Sequence, residues 1–250
     1  MSALARPATT DGLVVWVMHR FAALFDRHAV LKGGMSLRLL DSPRSTTDID
    51  YVFVPYRSKR EVRRLIEEVL GELEDASYEI DLHSKMLRAR LRVDEAEIQI
   101  EVNVALECPT VAMATGGFAR SQGQPSQVVA IMEPSRALSE KLAAWNERRL
   151  LRDLYDCYFL SSRLGARLDP DRLDDRLSKI ESRNPRLRRT KSMSRRELAR
   201  ELSEAALALD QENVDAELLA VLPPEELAGL ALRLRASIAK IAEQLASSTG

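Results

Sequence analysis

The chain reads as α+β in two parts, an alternating helix and strand region over residues 1–133 and an all-helical region over 134–250. Three observations support this. Short apolar runs bounded by Gly, Pro and Asp recur through the first part, as strands do. Between them lie stretches with apolar residues at helical spacing. From Pro134 onward no strand signal appears, and helical patterns run on with Pro170, Pro185 and Pro223-Pro224 as punctuation.

The elements follow in order. Leu13, Val14, Val17, Phe21, Leu24 and Phe25 predict a helix over 11–28 with Asp11 as its N-cap. A short strand, Ala29 to Lys32, ends at Gly33-Gly34, and Ser36 to Leu40 predicts a short helix. Strand Asp48 to Val54 stops at Pro55. Ser58 then caps an amphipathic helix running to about Leu73 through Val62, Leu65, Ile66, Val69 and Leu70. Three strands are expected next, Tyr78 to His83, Lys85 to Val93 and Glu97 to Leu106, the last two forming a hairpin around Asp94-Glu95. Residues 107–127, with Pro109, Gly116, Gly117, Gly123 and Pro125, read as a loop, and Val128 to Met132 as a further strand.

Composition narrows the function classes. A chain of 250 residues, 45% hydrophobic and 30% charged, can build one large core or two small ones. Cys108 and Cys157 form no CxxC and have no His at ligand spacing, which suits a reducing compartment and argues against zinc. The apolar run Leu13 to Met18 is shorter than a signal-peptide core and far short of a membrane span, so a cytoplasmic location without membrane attachment is expected. A net charge of −1 exerts no global pull on nucleic acid, and any such pull must be local.

Asp48 and Asp50 lead the apolar run Tyr51 to Val54. Residues two apart in a strand share a face about 6.6 Å along the chain, so both carboxylates can grip one divalent cation or a pair. An Asx-capped turn is the competing explanation. Gly33-Gly34, between a strand and a helix, lets backbone N–H groups approach a phosphate, with Lys32 and Ser36 beside it; a plain tight turn would also use Gly-Gly. Alternation puts Glu97, Gln99, Glu101 and Asn103 on one strand face. That face is either simply solvated or lies beside the Asp48/Asp50 strand, where Glu101 would complete a three-carboxylate site. Oxygen-only ligands favour magnesium or manganese. Lys141 and Asp156, fifteen residues apart, would be separated by about 22 Å on one unbroken helix. A break near Asn146 to Arg149 that folds the second segment back is therefore expected.

In this order, Lys-Gly-Gly-Met-Ser-Leu-Arg at 32–38, Arg44-Ser-Thr-Thr-Asp-Ile-Asp50, Ile100-Glu-Val-Asn103, and Glu140-Lys-Leu-Ala-Ala144 with Arg152-Asp-Leu-Tyr-Asp156 resemble the AbiEii-like nucleotidyltransferase toxins of type IV toxin–antitoxin and abortive-infection systems, which include the MenT-type toxins. The resemblance covers about residues 12–160. It implies a polymerase-β-like nucleotidyltransferase fold, a mixed sheet flanked by helices with the acidic pair on a central strand, followed by a helical region that completes the site. It further implies that Gly33, Gly34 and Ser36 cradle a nucleoside triphosphate together with Lys32 and Arg152, that Asp48, Asp50 and Glu101 bind Mg2+ or Mn2+, that Lys141 contacts phosphate, and that Asp156 is the last catalytic carboxylate, with Asp153 its competitor. Thr46 stands where Ser is usual and is the implied regulatory residue; Met35 stands where a small residue is usual. The implied acceptor is tRNA, the implied partner an antitoxin encoded next door, and a monomer is expected. For RNA, the segment from Arg186 to Arg200 holds seven basic residues (Arg186, Arg188, Arg189, Lys191, Arg195, Arg196, Arg200) against Glu197 alone, a patch suited either to phosphates or to a flexible basic loop. Base stacking would rest on few aromatics, such as Tyr51, Tyr56 or Trp145, the last better suited to the core.

Overall fold

The computed structural model describes residues 6–247 apart from Lys85, Arg183, Pro185, Arg186, Arg188 and Arg189. The chain divides into two compact units, Met1–Glu133 and Pro134–Gly250.

In the first unit, α1 (Thr10–Phe25) is buried over most of its length, from Gly12 to His19 and again at Phe21. Its cap is Thr9, whose hydroxyl accepts the Gly12 N–H at 2.9 Å, and not Asp11. Asp11 sits one residue into the first turn and instead receives two N–H groups from Arg38 at 2.8 Å each. The helix also stops earlier than its periodicity suggests, because Asp26 takes a left-handed φ of 48°.

Seven strands form one mixed sheet: β1 (Ala29–Lys32), β2 (Ile49–Phe53), β3 (Ser77–Leu82), β4 (Leu87–Val93), β5 (Ala96–Val104), β6 (Thr110–Ala114) and β7 (Val128–Met132), in the order β3-β4-β5-β2-β1-β7-β6. Only the β2/β5 and β1/β7 pairs are parallel. β6 and the short α4 (Gly116–Ser121) lie where the Gly- and Pro-rich composition suggests a loop. β6 is an edge strand, paired with β7 alone, so its existence depends on a partner eighteen residues along and not on its own pattern. α2 begins at Gly33 itself and runs to Leu39, three residues ahead of the expected Ser36 start. α3 (Lys59–Leu70) is capped by Ser58, as its sequence suggests.

Alternation along β2 decides which face holds the site. Ile49, Tyr51 and Phe53 are buried. Phe21 of α1 lies edge-on to Tyr51 at 4.9 Å and to Phe53 at 5.5 Å, favourable geometry for aromatic rings. Tyr51 is thus core, which removes it as a base-stacking residue, and burial pushes its phenol far above its ordinary pKa. Asp50 points to the opposite face of the sheet.

The second unit is helical: α5 (Pro134–Arg148), α6 (Leu151–Tyr158), which continues as a π turn over Phe159–Arg163, α7 (Pro170–Leu177), α8 (Arg195–Ala208), α9 (Gln211–Leu218), α10 (Pro224–Leu227) and α11 (Leu230–Ser247). The break between α5 and α6 falls at Arg149, held at a φ of 59°. Glu140 of α5 accepts from Arg172 and Arg176 of α7, and Arg176 also reaches Glu147 at 3.1 Å, which ties these two helices together. No helix among the described residues is long and apolar enough to cross a membrane.

One buried polar group makes the first unit sensitive to acid. His19 is fully buried, with Nε2 2.9 Å from Thr115 Oγ1. The Thr115 hydroxyl donates to the Gln127 carbonyl and accepts the Gln127 N–H, so His19 Nε2 must be the donor in their contact. Its Nδ1 is buried without a partner, and protonating it would place an unmatched charge in the core. Burial lowers the His19 pKa to about 4. The unfolded chain, with an ordinary histidine, binds the proton first, so stability falls as pH drops from about 6.5 to about 4, by up to about 3 kcal/mol. His19→Gln should remove this component: the difference in unfolding free energy between wild type and variant, measured across that pH range, should narrow toward pH 4.

Candidate active site

The Gly33-Gly34 turn and the Asp48/Asp50 segment are in direct contact. Gly33 has φ +70°, and a Cβ placed there would stand 2.1 Å from Asp50 Oδ2. A Cβ on Gly34 would stand 2.6 Å from Arg44 Nη2 and 2.9 Å from Thr46 Oγ1. The glycines are needed because the acidic loop closes onto the turn. Ser36 is buried, and its hydroxyl donates to the Gly33 carbonyl at 2.9 Å, bracing the turn from within. Met35 is fully buried in the core and does not crowd the turn. Asp48 is exposed one residue ahead of β2, and Asp50 is half-buried within it.

Strand register completes the arrangement on this face. Asp50 pairs with Lys32 on β1 and with Glu101 on β5. The register thus puts Glu101, and not Glu97, beside Asp50, on strands about 4.8 Å apart. The rung continues through Arg88 on β4 to Asp81 on β3. Lys32 Nζ lies 3.8 Å from Asp50 Oδ1, and Arg88 Nη2 donates to Glu101 Oε1 at 2.8 Å, an oxygen that also accepts from Gln99 at 3.1 Å. Further out, Arg90 pairs with Glu79 and Arg92 with Glu97, so the outer part of this face is a solvated ladder of ion pairs.

Asp48, Asp50 and Glu101 supply only hard oxygen donors at a turn without side chains, a set that suits a divalent cation such as Mg2+ or Mn2+. As the side chains stand, no three Asp, Glu, His or Cys groups among the described residues converge tightly enough to hold an ion. The reason is visible in the rung, where Glu101 is turned onto Arg88.

In the helical unit, the break at Arg149 brings Lys141 Nζ within 2.5 Å of Asp156 Oδ2 and 3.8 Å of Asp153 Oδ1. Asp153 and Asp156 are buried, and Lys141 nearly so. Arg148 grips Asp153 through two N–H groups, at 2.7 and 3.2 Å. Two cations and two carboxylates therefore neutralise one another. Asp153 serves both cations. Cys157, fully buried beside them, has its thiol pKa pushed well up, first by burial and then by the two carboxylates. Arg152, in the same segment, is exposed.

The basic segment is only partly visible. Arg186, Arg188 and Arg189 lie outside the described residues. Lys191 and Arg196 are exposed, whereas Arg195 is committed to Asp174 by two contacts at 2.5 and 2.7 Å. Trp145 is buried with the Arg149 guanidinium over its ring at 4.4 Å, and Tyr56 packs against the first unit's core.

Two residues of this region escaped the sequence reading. Arg44 stands at the head of the acidic motif and is buried against the glycine turn; an arginine inside so short a motif was the available signal. Arg88 carried none, because only strand register reveals what it faces.

A family model described as nucleotidyl transferase AbiEii toxin, type IV TA system, matches residues 16–240. Among solved structures, the nucleotidyltransferase toxin MenT4 from Mycobacterium tuberculosis H37Rv is similar, with a TM-score of 0.60 at 18% identity, over 95% of this chain and 86% of that one. JHP933 from Helicobacter pylori is similar with a TM-score of 0.53 at 16% identity, over 96% of this chain and 93% of that one. A search of curated proteins by sequence finds no match.

Three substitutions test the geometry. Gly33→Ala should cost about 1–2 kcal/mol for the left-handed backbone alone and should displace the Asp50 side chain, read by denaturant unfolding and a crystal structure of the variant. Asp153→Ala should cost about 1.5–3 kcal/mol, since it removes a two-donor contact from the half-exposed Arg148 while Lys141 keeps Asp156; Arg152→Ala, at an exposed position, should change stability by less than about 0.5 kcal/mol in the same assay.

Proposed function

The chain belongs to the AbiEii family of nucleotidyltransferase toxins of type IV toxin–antitoxin systems, and from that premise we propose that it is a metal-dependent enzyme that transfers a nucleotide from a nucleoside triphosphate to the 3′ end of tRNA. Transfer there would block translation in the cytoplasm until an antitoxin relieves it.

The observation that carries this reading is the joint built by Gly33, Asp50 and Glu101. A side-chain-free turn at the start of α2 meets an aspartate that stands in register with a second acidic strand. A divalent ion bound there would neutralise phosphate charge and lower the pKa of an attacking hydroxyl. The chain's own residues have separate tasks. Backbone N–H groups at Gly33 and Gly34 meet phosphate oxygens, with Lys32 close by for added charge. Asp48 and Asp50 hold the ion with Glu101. By the family pattern Lys141 and Arg152 contact phosphate and Asp156 supplies the last carboxylate. Lys141 would have to loosen its ion pair with Asp156 to do so.

Support for RNA as acceptor rests on Lys191 and Arg196, both exposed, together with the three arginines outside the described residues. Thr46 fits the part of a switch. Its hydroxyl lies 3.5 Å from the Asp48 carbonyl and shares the space above Gly34 with Arg44. A phosphate on Thr46 would gain the Arg44 guanidinium and set negative charge against the metal-binding carboxylates.

The test is incubation of the purified protein with each labelled nucleoside triphosphate, Mg2+ and total tRNA. Label should enter tRNA, and Asp48→Ala or Asp50→Asn should reduce incorporation at least a hundredfold while leaving the melting temperature within a few degrees. Label migrating with protein or with a small molecule would redirect the acceptor assignment. Unlabelled RNA with all four nucleotides would defeat it.

A further inference from the structure

We propose that Arg88 is a resident counter-cation that a divalent ion must displace from Glu101, and that Asp81 receives the displaced guanidinium. The inference rests on the metal reading of Asp48, Asp50 and Glu101 given above. It adds two residues to the site that belong to no motif, both acting as positioning residues.

Five charged side chains cross the sheet on one rung: Asp81, Arg88, Glu101, Asp50 and Lys32. Adjacent strands lie about 4.8 Å apart, so each side chain can reach only its immediate neighbours. Asp50 and Glu101 are the one like-charged neighbouring pair on this rung. Each is flanked on its outer side by a cation, Lys32 at 3.8 Å and Arg88 at 2.8 Å. The two carboxylates are held apart by the very groups that neutralise them. A divalent ion between them would supply the same charge from the inner side and make the outer cations redundant.

Arg88 is poorly seated where it is. It reaches Glu101 through Nη2 alone, and its Nε is buried without a hydrogen-bond partner. Guanidinium groups pair most strongly with carboxylates through two parallel N–H donors, so a one-donor contact with a stranded Nε is a weak hold. The alternative acceptor is already in place. Asp81 stands opposite Arg88 on β3, and its ion-pair contact is with Arg90 at 3.8 Å, whereas Arg90 has a closer partner in Glu79 at 3.1 Å. When an ion takes Glu101, Arg88 can turn to Asp81 without losing a charge partner, and Arg90 keeps Glu79. Glu101 and Asp81 thus offer two positions for one guanidinium, one on each side of β4.

The experiment is Mn2+ binding to the full chain in the absence of nucleotide, read by titration calorimetry and by loss of the free-ion electron paramagnetic resonance signal. Arg88→Gln should tighten Mn2+ by about fivefold, the scale of a partly exposed ion pair. Asp81→Asn should loosen it by about threefold, because the released arginine then has nowhere to go. Arg88→Lys, which keeps the charge, should bind close to wild type. In a Glu101→Gln background Arg88→Gln should have no effect. The opposite directions of Arg88→Gln and Asp81→Asn separate this exchange from a general loosening of the sheet, which would shift both the same way and overturn the proposal. If Asp50→Asn abolishes Mn2+ binding but Arg88→Gln leaves it at the wild-type value, the proposal fails and the metal reading stands. If wild type binds no Mn2+, or Asp50→Asn binds like wild type, both fail together.

Discussion

The contact between Gly33 and Asp50 is the constraint on which the first unit's chemistry depends. Everything on the polar face of the sheet is arranged around a point where one residue has no side chain and another, seventeen positions later, fills the space. β1 and β2 are antiparallel neighbours with α2 between them in the chain, and the acidic loop that leads into β2 lies against the turn. The left-handed backbone at Gly33 makes the same demand from the other direction. Only glycine satisfies both without strain. The apolar face of the same strands supplies the rigidity: Ile49, Tyr51 and Phe53 are locked beneath α1, which fixes Asp50 on the other side by alternation.

The two units balance charge in different ways. On the sheet, each carboxylate has a cation beside it on a face open to water, where each pair contributes little and can be exchanged. In the helical unit Lys141, Asp153 and Asp156 are largely withdrawn from solvent, with the half-exposed Arg148 at their edge, so removing one of the buried partners exposes part of the cost of burying another. The first arrangement favours exchange of partners and the second favours a fixed geometry. A site that must take up a cation and a polyanionic substrate needs the first kind of compensation near its metal end.

Local pattern made much of the architecture legible. The β1 and β7 boundaries, the Ser58 cap and the helical character beyond Pro134 are encoded in neighbouring residues, and so is the break at Arg149, which the separation of Lys141 from Asp156 required. What escaped depends on distant partners. β6 exists because β7 pairs with it, and the N-cap moved to Thr9 because Asp11 has Arg38 to hold. Asp48 and Asp50 were visible as a pair, and alternation marked out Glu101, but alternation cannot say which strand lies alongside or in what register. For that reason Arg88 and Asp81, on β4 and β3 and outside every motif, gave no sign of sharing a rung with the acidic pair. Arg44 was within a motif and unremarkable there until the fold buried it against Gly34.

Cys157 turns the buried charge cluster into something that can be timed. Its thiol is enclosed beside Asp153 and Asp156, and the surroundings that hold it protonated also keep reagents out. Modification can proceed only in the moments when α6 parts from its neighbours, so the native-state labelling rate of this one sulfur counts openings of the cluster as hydrogen exchange counts openings of a backbone amide. Cys108, partly exposed on a different unit, supplies an internal reference for the reagent itself. The chain therefore carries its own gauge of how often the Lys141 ion pair comes apart.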